Sequence, residues 1–220
     1  MIFFFYFAKL EFMTVLLFLT FVAAVCFYLV SVKESSLSVG AYILGLALGL
    51  VSIVILKFVS FDAMSISANF WVQTFRFFLT FFLLPALISL PLFFLISFSL
   101  SEETVEASPA HIFGVFTVIF FSAMFRSKGV PNYGLFILLT MLYTGTVFLF
   151  YSLLQLCCSF VPAMVAFFIA LLGFLGVCFL ASTALSSRYF SFSSMTYFII
   201  ALSVLGAGVA GAYVINQVRG

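Results

Sequence analysis

The chain has 220 residues, of which 66% are hydrophobic and 6% charged, against roughly 45–50% and about 25% in an ordinary soluble domain. Eight Lys and Arg and six Asp and Glu cannot cover a body of 24.4 kDa with charge, so most of its surface must face lipid. A net charge of +2 without a basic stripe excludes nucleic acid as a partner.

Crossing about 30 Å of hydrocarbon takes about 20 apolar residues in a helix. Uncharged runs of that length, bounded by charges or turn residues, predict an all-α, polytopic transmembrane bundle of about seven spans. The first runs over about 12–32, between Lys9/Glu11 and Lys33/Glu34. Its Val22-Ala23-Ala24 and Cys26 resemble the end of a cleavable leader, which would leave six spans in the mature chain. Residues 1–8 are apolar instead of basic and the run continues to Val32, so we read it as a span.

The second span covers about 38–56 and carries Ala41, Gly45 and Gly49 four apart, a spacing that lets helix backbones pack closely. Over 61–76, Phe61, Met64, Ala68, Trp71 and Phe75 share one helical face, and Asp62, Ser65, Asn69, Gln73 and Arg76 recur on the other. This pattern predicts an amphipathic helix lying on the cytoplasmic surface, its polar face a docking site for a protein partner. The third span, about 77–97, contains Pro85 and Pro91, each of which removes a backbone hydrogen bond.

An acidic loop is expected over 98–108, with Glu102, Glu103 and Glu106 close to His111, the only histidine. Ser108-Pro109 reads as an N-cap and first helical residue for a short fourth span, about 109–125. The fifth span, about 133–156, holds Thr140, Tyr143 and Thr144 on one face, a candidate polar pocket. The sixth covers about 162–185, and the seventh, about 192–215, carries a second small-residue stripe, Gly208 and Ala212.

If the spans alternate, Lys9, Lys57, Arg76, Arg126, Lys128 and Arg188 fall on one side and only Lys33 and Arg219 on the other. Positive charge stays in cytoplasmic loops, which predicts a cytoplasmic N-terminus and a C-terminus outside. On these boundaries no ionisable residue lies well inside a span, so neither a proton relay nor a retinal-type lysine is expected. The cysteines, including vicinal Cys157 and Cys158, show no metal-binding spacing, and neither metal nor cofactor is expected.

These features together point to a non-enzymatic multi-pass subunit of a larger assembly, for transport or envelope biogenesis, in a plasma or inner membrane. It would meet a cytosolic partner through 61–76, or a second copy of itself through its small-residue faces. The alternatives are a stand-alone small-molecule facilitator or ligand sensor, and a lipid-modifying enzyme using Glu102, Glu103 and His111 at the outer face.

Overall fold

A backbone in hydrocarbon has no water to bond, so a sequence this apolar must satisfy its amides within each segment. The computed structural model does so with helices alone; it describes residues 15, 18–29, 35–58, 69–97, 101–126, 133–189 and 194–219, and no strand occurs among them. In chain order these are α1 (18–29), α2 (Ser35–Phe58), α3 (Phe70–Phe78), a π-helical segment (Leu79–Leu83), α4 (Leu84–Ile96), α5 (Glu102–Arg126), α6 (Tyr133–Cys158), α7 (Ala163–Tyr189) and α8 (Ser194–Arg219). Six helices are long and apolar enough to cross a membrane, counting Phe70–Ile96 as one, and α1 is a shorter apolar helix.

Contacts between neighbouring helices fix their directions. Gly45 of α2 lies against His111 and Gly114 of α5, and Gly49 against Val115 and Val118, so these two run parallel. Likewise Gly145 meets Leu205 and Ser152 meets Gly211, which makes α6 and α8 parallel. Aromatic pairs supply the antiparallel neighbours: Phe18 with Phe121 and Tyr28 with Phe113 (α1 and α5), Phe93 with His111 and Phe82 with Phe116 (the third span and α5), Phe120 with Phe136 (α5 and α6), and Phe94 with Phe167 and Phe78 with Phe179 (the third span and α7). Each helix, counting Phe70–Ile96 as one, therefore runs opposite to the one before it. Lys57, Arg76, Arg126 and Arg188 stand near helix termini at one end of the bundle, here the basic end; α5 starts at Glu102 and Glu103 at the other, the acidic end.

Phenylalanine fills the interior. Phe116 stacks on Tyr143 at 4.5 Å and meets Phe82 edge-on at 5.6 Å, and Phe21 stacks on Phe120 at 4.3 Å. Offset stacks and edge contacts of this kind bind beyond the area they bury. In contrast Phe168, Leu172 and Leu180 of α7 point outward, as lipid-facing side chains do.

The expected surface helix is corrected by the course of α3. Asn69 caps it, its side chain accepting from the Trp71 amide at 2.9 Å, and the helix continues through the π segment to Ile96 without a break. Residues 70–76 thus begin the third span; 61–68, with Asp62 and Ser65, lie outside the described residues. The amphipathic pattern is real but inverted relative to a surface helix. Trp71, Val72 and Phe75 face outward, while Gln73 and Thr74 are buried on the side that packs against α7.

The π segment shows how Pro85 is accommodated. In a regular α-helix its ring would strike the Phe81 carbonyl. Here the Leu84 amide reaches back five residues to the Leu79 carbonyl, the wider turn typical of a π-bulge.

Candidate functional site

The fourth span differs most from expectation, and the site lies in it. It begins at Glu102, not Pro109. Ser101 is the cap: its Oγ accepts from the Thr104 amide at 3.3 Å and contacts Thr104 Oγ1 at 2.9 Å, while its carbonyl accepts from the Val105 amide at 3.1 Å. Glu102 and Glu103 then occupy the first turn, where negative charge complements the helix dipole. The segment read as a solvated acidic loop is the first two turns of a helix.

Pro109 sits inside that helix and cannot donate to the Val105 carbonyl. The adjacent hydroxyl replaces the missing amide, Ser108 Oγ donating to Val105 O at 2.7 Å. Ser108→Ala should therefore cost about 1–3 kcal/mol, the penalty of an unsatisfied buried carbonyl. With Pro109→Ala already present the same change should be near neutral, because the restored amide makes the bond; thermal unfolding of the four variants in detergent reads this coupling.

From Thr104 to Phe120, only Glu106 and Val118 are not buried, which makes α5 the most enclosed helix. His111 has no exposed surface, and at 1.5 Å per residue it lies roughly 14 Å from the start of the helix. The expectation that no ionisable residue lies within a span is thus corrected. The helix starts seven residues before Pro109, which sets His111 deeper than the sequence implies.

Three helices build the surroundings of the imidazole. Phe93 of α4 stacks on it, with centroids 4.5 Å apart and planes at 21°. Glycines at 45 and 49 let the α2 backbone rest directly on α5; a Cβ at Gly45 would strike the His111 carbonyl. That approach brings the Ala41 carbonyl beside the ring, and the Ser89 carbonyl of α4 lies beside it as well. Neither meets the distance and angle of a hydrogen bond, so Nδ1 and Nε2 are both buried without a partner. Ser89 itself and Ser108, three residues before His111, are fully buried.

The remaining expected site residues fall in different places. Gln73 is 1% exposed, so it cannot form part of a cytosolic docking face; Asn69 is exposed and Arg76 half-buried. Thr140, Tyr143 and Thr144 are all buried. Thr140 donates to the Phe136 carbonyl at 2.9 Å, whereas the Tyr143 and Thr144 hydroxyls have no partner. Ala41, Gly45 and Gly49 are buried on α2, Gly45 and Gly49 directly against α5; Gly208 faces Gly145 and Phe148 of α6, and Ala212 is buried on the same helix.

Glu102 and Glu103 are exposed near the tip of α5 while His111 is enclosed two turns deeper. Eight residues separate Glu103 from His111, roughly 12 Å along the axis, too far for them to act on one substrate atom. The helix thus does not bring Glu102 and Glu103 together with His111. Among the described residues no cluster of three or more His, Cys, Asp and Glu could hold a metal, and Cys26, Cys157, Cys158 and Cys178 form no disulfide.

No protein family, no curated protein and no solved structure matches this chain.

Proposed function

We propose that this chain is a non-enzymatic multi-pass membrane protein that takes a small molecule into its own interior, as a facilitator or a ligand sensor in a plasma or inner membrane. The observation that carries this reading is His111, enclosed at membrane depth with both ring nitrogens unpartnered. A buried polar group without a partner is costly, and intramembrane ionisable residues are kept for function. Alternation of the helices supports a cytoplasmic N-terminus, since the basic end then carries the residues that cytoplasmic loops retain.

Stopped-flow swelling of liposomes containing the protein tests this. Permeability to small neutral solutes such as urea and glycerol should exceed that of empty liposomes and fall to background with His111→Leu, provided that variant still folds. Permeability equal to that of empty liposomes would remove the facilitator.

The second reading is a subunit of a larger assembly or a homo-oligomer. It draws support from the outward face of α8, where Gly206, Ala207 and Ala210 are exposed and Gly206 has nothing within 4 Å of the place a Cβ would take. Small residues of this kind suit close helix packing. A single protomer per nanodisc, by mass measurement, would argue against it.

A further inference from the structure

We infer that the His111 site takes a small neutral molecule bearing an N–H or O–H donor, admitted from the acidic end along α5. This deepens the interior-site reading above and rests on it. A neutral imidazole presents one N–H donor and one lone-pair acceptor, both in the ring plane. Phe93 covers a face of the ring, so a ligand must meet the edge.

The surroundings can serve only half of this ring. The carbonyls of Ala41 and Ser89 are acceptors and suit its N–H. No donor is left for the lone pair, because Ser108 gives its proton to Val105 O at 2.7 Å and Ser89 turns its own toward Ala86 O at 3.5 Å. The missing group is a donor. Charge is sparse around it: Tyr42 is the only titratable side chain along 37–56 of α2, its hydroxyl engaged with Thr117 Oγ1 at 3.2 Å, α4 has none, and on α5 the half-buried Glu106 lies five residues before His111, on another face of the helix. A neutral ligand avoids the desolvation cost an ion would meet there.

Access follows from the helix period. Ser101, Thr104, Ser108 and His111 recur at spacings of three and four on α5, one continuous ridge. Exposure falls along it from the exposed Ser101, through Thr104 at 7%, to Ser108 and His111 at 0%. The ridge is a row of hydroxyls leading inward from the acidic end.

His111 is the only histidine, so ring-¹⁵N-histidine gives one pair of resonances with no assignment problem. Protein in nanodiscs is titrated with urea, glycerol and acetamide separately. A saturable shift of the lone-pair nitrogen with at least one of them, reached more slowly but to the same end point in Thr104→Leu, is the expected result. Ring resonances that none of the three moves would overturn the inference, as would a shift whose rate of appearance Thr104→Leu leaves unchanged. Solute flux without a shift would sink this site and leave the facilitator standing; a shift without flux would keep the site and remove the facilitator.

Discussion

Placing a leucine at Gly114 should abolish or severely weaken folding, with unfolding in detergent falling by at least ten degrees. A Cβ there would strike the Tyr42 carbonyl and lie 2.9 Å from the Leu46 amide nitrogen. Both are backbone atoms of a neighbouring helix, so no rotamer change relieves the clash and α2 must move away. Overpacking a tight contact costs about 1–3 kcal/mol or more when side chains can yield; here they cannot, and each kcal/mol shifts the melting temperature of a chain this size by about 2–4 °C. Gly45, against the His111 carbonyl, and Gly208, against that of Gly145, should respond alike. Gly40, Gly176 and Gly206 are the controls, with nothing within 4 Å. Alanine at those three should be neutral or stabilising by up to about 1 kcal/mol, the helix-propensity difference.

Phe116→Ala should be nearly as damaging. Its ring is fully buried, stacks on Tyr143 at 4.5 Å, meets Phe82 at 5.6 Å and lies 6.2 Å from Phe174. One truncation thus removes contacts to the third span, α6 and α7 together. Large-to-small changes at such sites cost about 3–5 kcal/mol because the cavity collapses only partly, so a fall of roughly ten degrees is expected in detergent. Phe168→Ala on the outward face of α7, 57% exposed, removes the same atoms and should change the unfolding temperature little. Equal losses at the two positions would mean that the inside and outside of the bundle have been misassigned.

Much of the architecture was legible because hydrocarbon imposes a length and forbids charge. The second, fifth, sixth and seventh runs each coincide with a helix to within a few residues, and Gly45 and Gly49 of α2 and Gly208 of α8 lie where a neighbouring backbone approaches closely. Acidic residues misled the reading of α5. Glu102, Glu103 and Glu106 resemble a solvated loop until Ser101 is recognised as a cap, which makes the first two glutamates a first turn matched to the helix dipole. Ser108-Pro109 resembles a helix start because a hydroxyl beside a proline serves equally as cap or as internal replacement for a lost amide donor. That one ambiguity hid the depth of His111.

The polar side of α3 was visible as a periodicity, but its direction was not. Polar residues at this spacing can face water on a surface helix or protein on a span, and here Gln73 is buried while Asn69 is exposed and Arg76 half-buried. Nor could sequence show the π segment. Pro85 signals a broken hydrogen bond, while the extra residue that absorbs it depends on what packs around Leu79–Leu83.

Central to the architecture is the uninterrupted helix from Phe70 to Ile96, which as a membrane span puts Asn69 and Glu103 on opposite sides. With the four native cysteines replaced by alanine, Glu103→Cys and Asn69→Cys are each exposed to a membrane-impermeant maleimide on intact cells. Labelling of position 103 directly, and of position 69 only after the membrane is permeabilised, is the predicted result. Labelling of both positions on intact cells would contradict it.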